Sequence, residues 1–159
     1  MMEVKVDGLK QLDDMLRQLP NRVAARELAG ALRAGGNVLR KEAVTRAPDS
    51  PKVHKFGDLR ANIRVRRVRP SNGNALAVAV TTGRAFYAKF LEFGRAAFTV
   101  KRKKVLSDGT TIFGVEVGRQ VARPFLRPAF DAAGPRAVAT IAQRLKAGVA
   151  RQAKRFGLG

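Results

Sequence analysis

Phe86-Tyr87-Ala88-Lys89-Phe90-Leu91-Glu92-Phe93-Gly94 holds the only Tyr of the chain, three of its nine Phe residues and one of its 12 acidic residues. Spacings of four and three place Phe86, Phe90 and Phe93 on or near one face of a short helix. We expect Tyr87, Phe90 and Phe93 to fix that helix against the sheet and the long helices. Gly94 ends it with a positive φ, where a side chain costs energy. Glu92 falls in the last turn, the less favourable end for an acid. Either an Arg of the same chain or of a neighbouring copy compensates it, or the acid has a job outside the helix. The plainer alternative is an aromatic core with a surface acid.

The surrounding chain is very basic. Lys plus Arg number 32 against 12 Asp plus Glu, a net charge of +20 over 159 residues. Such a charge opposes self-association unless acidic partners, polyanions or ordered acidic contacts offset it. The length suits one domain with a real core. There is no Cys, which excludes disulfides and thiolate chemistry. No apolar run is long enough to span a bilayer, and no apolar signal segment comes after the first charges. We therefore expect a product that is cytoplasmic when made.

Outward from the aromatic segment, the pattern predicts alternating helical and extended stretches. Met2–Val6 reads as a short edge strand. Leu9, Leu12, Met15, Leu16 and Leu19 form a helical stripe that Pro20 closes, and Asn21 is a cap for the second helix. That long helix, over Arg22–Arg46, carries Leu28, Ala31, Leu32, Gly35, Leu39 and Ala43 on one face. Gly30, Gly35 and Gly36 each weaken it by about 1 kcal/mol relative to Ala, which close packing of another backbone would justify; a break near Gly35-Gly36 is the alternative. Residues 47–57 read as loop, with the lone His54 lacking any second ligand or acid. Asp58 caps a brief turn through Asn62. Ile63–Arg69 and Ala75–Thr81 form a strand pair around Pro70-Ser71-Asn72-Gly73-Asn74. Arg and Val conflict in parity along the first strand, so it either bulges or outruns the core.

Beyond Gly94, residues 98–117 read as a long hairpin reversing at Ser107-Asp108-Gly109. Its arm carries Lys101-Arg102-Lys103-Lys104, candidate contacts for phosphate or for an acidic protein surface, without base specificity. Arg123-Pro124-Phe125-Leu126-Arg127-Pro128 opens the last helix, with Pro128 in the first turn. Leu126, Phe130, Ala133, Ala137, Ile141, Leu145 and Val149 form its stripe. Pro135 is expected to kink this helix or divide it. Residues 154–159 are expected to be a flexible tail, which Phe156 could anchor. The fold class is thus α+β: a small antiparallel sheet packed with a long helix in the N-terminal half, a short central helix and a C-terminal helix. It is read as a single domain over 1–159.

Catalytic motifs are missing. The chain has no HExxH, Walker loop, GxSxG elbow or cysteine ligand cluster, and Ser50, Ser71 and Ser107 fall in turns without a local base. No catalytic, cofactor-binding or metal-binding residue is assigned, and no cofactor is expected. Zinc-finger, KH and RRM patterns are lacking too, so basicity alone remains as a pointer to nucleic acid.

Four segments, in order, resemble the tail-completion or head-tail joining proteins of long-tailed double-stranded DNA phages. Gly8-Leu9 with Leu12 and Leu16-x-x-Leu19 resembles the family's opening helix. Gly57-x-Leu59 with Ile63 resembles a "G-x-L-x-x-S-I" run into the sheet, with Asn62 where Ser is usual. Tyr87-Ala88-x-Phe90-Leu91-Glu92-Phe93-Gly94 resembles the diagnostic "YA-x-(hydrophobic)-x-EFG" motif. Arg123-Pro124-Phe125-Leu126-Arg127-Pro128-Ala129-Phe130 resembles the "PFLRPA" start of the C-terminal helix. Departures are Arg95 where Thr is usual, the basic 101–104 arm and Gly134-Pro135. The resemblance implies a non-catalytic virion assembly subunit of the neck, found in host cytoplasm before assembly and in the virion neck or tail afterwards. Implied partners are identical subunits in a ring, commonly hexameric in related proteins, the tail tube or tail terminator, and head connector or adaptor proteins. Nonspecific DNA contact is compatible with it, and no membrane is involved. The alternatives are a tail terminator or other neck ring, or a free nucleic-acid-binding protein.

Overall fold

The computed structural model describes residues 9–49, 58–68, 76–99, 106–107, 112–114 and 116–157. Along them run α1 (Leu9–Gln18), α2 (Asn21–Arg46), α3 (Leu59–Asn62), β1 (Arg64–Val68), β2 (Ala77–Thr81) and α4 (Ala88–Phe93). Next come β3 (Phe98–Thr99), β4 (Leu106–Ser107), β5 (Ile112–Gly114), β6 (Glu116–Val117) and α5 (Leu126–Phe156). The strands make three two-stranded sheets, β1-β2, β3-β6 and β4-β5. This is an α+β fold, dominated by its helices. The expected N-terminal strand, His54, the 70–74 turn and the 101–104 cations lie outside the described residues.

The chain groups into two compact units. The first comprises Met1–Lys41, Val65–Val80 and Ala132–Gly159; the second comprises Glu42–Arg64 and Thr81–Asp131.

In the first unit, small residues let α2 and α5 approach closely. Ala31 is buried on α2, and Ala133, Ala137, Leu145 and Val149 are buried on α5. Leu19 joins Ala31, Leu145 and Val149, with Leu16, Ala24, Leu28 and Ile141 packed around them. A Cβ on Gly35 would fall within the Ile141 side chain and 3.0 Å from the Ala137 carbonyl oxygen. One on Gly36 would stand 2.9 Å from a Val65 methyl and 3.1 Å from one of Val78. Close packing, then, explains these two glycines, and α2 runs unbroken through them. Gly30 has nothing within 4 Å of a Cβ, so packing does not explain it. Glu27 ties the helices further by accepting from Gln152 Nε2 at 2.9 Å, with Arg151 at 3.6 Å.

Several expectations shift by a residue or a face. The first bonds of α2 run from the Val23 and Ala24 N–H groups to the Pro20 carbonyl, at 2.8 and 3.1 Å. Asn21 is therefore inside the helix rather than its cap. On β1 only Val65 is half-buried while its neighbours are exposed, so the strand outruns the core. The inward row of α5 passes through Ala129, whereas Phe130 is 52% exposed. Pro135 does not divide α5. It and Asp131 are exposed, so water can serve the Asp131 carbonyl that lacks a helical donor. The same helix extends to Phe156, which is exposed.

The second unit is built on short elements. Ala43, Ala47, Leu59, Ile63, Ala85, Ala88, Val117, Phe125 and Ala129 are buried in it. Asp58 caps α3 by accepting from the Arg60 N–H at 3.1 Å, as expected of Asp before a turn. Arg60 then donates from Nε and Nη2 to the Ala47 carbonyl just past α2, at 3.2 and 2.9 Å, and meets Asp49 at 2.7 Å. A cation at that helix end complements its dipole. β3 and β6 pair antiparallel, Phe98 opposite Val117, and β4 and β5 pair with a register shift at Leu106/Ser107. These pairings match the expected out-and-back course of the hairpin.

The two kinds of glycine in α2 should respond oppositely to Ala. Gly35→Ala should lower the unfolding free energy by about 1–3 kcal/mol through overpacking against Ile141. Gly30→Ala should raise it by up to about 1 kcal/mol through helix propensity alone. Urea unfolding of both variants checks this; stabilisation by Gly35→Ala would contradict the close approach.

Candidate functional site

The sequence places Glu92 at an unfavourable helix end, the end of α4. The structure shows where its charge is used. Its side chain turns to the start of α5, and the residue is 7% exposed. Glu92 Oε2 accepts from the Phe125 N–H at 2.8 Å and from the Leu126 N–H at 2.9 Å; Oε1 accepts from the Arg127 N–H at 3.0 Å. The Arg partner expected for this acid is replaced by three backbone donors.

These donors are the orphan N–H groups of a helix start. Leu126 and Arg127 are the first two residues of α5, and Phe125 immediately precedes it. The third residue is Pro128, which has no N–H to satisfy. The Ala129 N–H then makes the first helical bond, to the Phe125 carbonyl at 3.3 Å. One carboxylate and one proline thus complete the start of α5. The positive end of its dipole also favours the charge that α4 alone would disfavour.

Two further contacts hold the same segments together. The Arg123 N–H donates to the Leu91 carbonyl at 2.6 Å, and Arg95 and Gln120 exchange backbone bonds of 2.9 Å each way. Pro124 confines Arg123 to extended conformations, as an approach to the Leu91 carbonyl needs. Between these contacts Gly94 takes φ +72° and ψ 179°. The positive φ agrees with expectation, yet the ψ is not that of a left-handed helix cap; only Gly occupies this region readily. A Cβ there would also stand 3.0 Å from the Gln120 carbonyl oxygen and 3.1 Å from the Ala122 nitrogen.

Burial by itself pushes the Glu92 carboxyl up. The N–H groups of Phe125, Leu126 and Arg127, followed by the Arg127 charge, outweigh it, so the group titrates below the ordinary range. A folded value below the unfolded one gives stability that is complete above the unfolded value of about 4.3. That contribution is lost as pH falls through the folded value.

The aromatic face packs less than the sequence reading expects, and Phe93 does not pack at all. Ala85, Ala88 and Glu92 are buried, while Phe86 is 55% and Phe93 81% exposed. Phe90 and Tyr87 are half-buried. Phe86 meets Phe90 edge-on at 6.4 Å and Tyr87 edge-on at 6.1 Å. The Arg95 guanidinium lies 5.3 Å from the Phe90 ring centroid and 4.5 Å from that of Phe98. Lys89 Nζ is 5.0 Å from the Phe90 centroid. Small residues thus form the packed side, and the phenyl rings line an exposed side with cations. Arg95, noted only as a departure from the resemblance, organises that side.

The geometry around Glu92 serves positioning. Among the described residues Glu92 is the buried carboxylate, and three backbone donors hold it. Among the described residues no group of three or more His, Cys, Asp or Glu could hold a metal ion. A groove of about 360 Å³ in the first unit is lined by Gly30, Arg33, Val65, Arg67, Leu76 and Val78, with no acid to pair with its two guanidinium groups. No helix among the described residues is long and apolar enough to cross a membrane.

Glu92→Gln should lower the unfolding free energy by about 2–3 kcal/mol at pH 7, the weight of lost hydrogen bonds to a charged group. The gap from wild type should shrink as pH falls toward 3, measured by denaturant unfolding across pH; a constant gap would contradict the charged cap. Gly94→Ala should cost about 1–3 kcal/mol through its backbone conformation. Gly118→Ala is the control, since a Cβ there meets nothing within 4 Å. Equal stability of the two variants would contradict the Gly94 account.

A family model described as a bacteriophage HK97-gp10 tail component matches residues 10–94, from α1 to the end of the Glu92-Phe93-Gly94 motif. No curated protein and no solved structure matches the chain. The matched residues span more than half of the sequence, and the chain belongs to the HK97-gp10-like family of phage tail components.

Proposed function

We propose that this protein is a virion assembly subunit of the tail-completion kind. It caps the head-proximal end of the phage tail and helps join it to the head connector around the DNA channel. The observation that carries this reading is the family match over residues 10–94, which ends on the Glu92-Phe93-Gly94 motif. The network around Glu92 suits a subunit that must present fixed surfaces, because it is satisfied within the chain. In this reading identical subunits close a ring, commonly hexameric in related proteins. One face meets the tail tube or tail terminator, and the other meets head connector or adaptor proteins. Lys101, Arg102, Lys103 and Lys104 meet an acidic protein surface in preference to the phosphates of the exiting DNA. Before assembly the subunit resides in the host cytoplasm.

Deleting the gene from its phage and imaging the lysate tests this. Full heads and tails of normal length that fail to join, rescued by the gene in trans, are expected. Overlong tails of uneven length would assign the protein as a tail terminator instead. Normal infectious particles would overturn both assignments.

A further inference from the structure

The exposed side of α4 and β3 combines features that the Glu92 cap does not use. Phe93 is 81% exposed, Phe86 55% and Phe98 41%. Phe86, Phe90, Arg95 and Phe98 form a continuous run of ring and cation contacts, with Lys89 over Phe90. Among the described residues no carboxylate pairs with Lys89 or Arg95. The nearest acid in sequence, Glu92, is buried and fully engaged by backbone donors. Clustered phenyl rings and an Arg are the composition of protein-interface cores, and scattered single exposures are not.

We propose that this surface docks an acidic protein segment whose carboxylates flank an aliphatic or aromatic side chain. The carboxylates would meet Lys89 and Arg95, and the apolar group would cover Phe93 and Phe86. Charge complementarity chooses this occupant. A second copy of the chain brings the same excess, 32 basic residues against 12 acidic, to an already cationic face. Duplex DNA supplies negative charge, but beyond the thymine methyls of its major groove its stacked bases offer little apolar surface to cover Phe93. Arg95 is well placed for the role, because stacking between Phe90 and Phe98 fixes its guanidinium before a partner arrives. The proposal gives the assembly reading one partner chemistry and rests on it for biological setting. Its test is independent of phage assembly, so either can fail alone.

The probe is a fluorescein-labelled peptide of alternating Glu and Leu, titrated with the purified full chain and followed by anisotropy. Competitors of equal charge are an alternating Glu-Gly peptide, oligothymidylate and a short DNA duplex. The variants are Phe93→Ser and Phe86→Ser. Phe93 is almost fully exposed, so Phe93→Ser should leave the unfolding midpoint unchanged. The expected result is saturable Glu-Leu binding that weakens at least about tenfold in Phe93→Ser, a typical hot-spot loss. The Glu-Gly peptide should bind at least about tenfold more weakly than the Glu-Leu peptide, the weight of the buried apolar groups. Equal binding of both peptides, or of wild type and Phe93→Ser, would overturn the surface. Phe93-dependent binding of oligothymidylate in preference to the peptide, or Phe93-dependent self-association without it, would overturn the choice of partner.

Discussion

Glu92 Oε1 and Oε2 receive the N–H groups of Phe125, Leu126 and Arg127, with no side-chain cation between them. Separately, each motif contains a fault. Glu92 stands at the wrong end of α4 for its charge, and the start of α5 lacks a capping side chain of its own. Together the faults cancel. The carboxylate takes the available donors, Pro128 removes the next one, and Gly94 turns the chain so that Arg95 and Gln120 can pair. An unpartnered buried carboxylate or helix end would each carry a large penalty, so the two segments depend on one another.

The same economy of side chains recurs in the packing. Gly35 faces Ala137 and Ile141 on α5, Ala31 clusters with Leu145 and Val149, and Gly36 lies against Val65 and Val78. Ala88 and Glu92 form the buried side of α4, and Ala85 is buried just before it. Small residues admit a close neighbour, and of the phenyls described Phe125 alone is fully buried. Phe86, Phe93, Phe98 and Phe130 are exposed.

Helices were the most legible part of the sequence, because a period of three and four over many residues survives small errors of phase. Thus α2 appears within one residue of its expected start and ends at Arg46 as expected. Burial was harder to read. Size and hydrophobicity favour Phe over Ala as a core residue, yet the buried row of α5 passes through Ala129 and leaves Phe130 outside. The one-residue change of phase is invisible in a sequence rich in Ala on both sides. Glu92 was conspicuous for the opposite reason: an acid in an aromatic motif at a helix C-terminus had to answer to something. An Arg was the expected answer because side chains are written in the sequence. Backbone N–H groups are present at every non-proline residue, so only folding reveals which three converge.

The family and the structure meet in that cap. The family match ends at Gly94, while the donors lie more than thirty residues later, in the segment that resembles a family motif. A carboxyl-detected NMR titration of Glu92, read with the backbone amide shifts of Phe125, Leu126 and Arg127, tests the link most directly. The account predicts that Glu92 titrates below an ordinary glutamate and that the three amides shift together with it. A carboxyl that titrates at or above the ordinary value, with those amides unmoved, would contradict it.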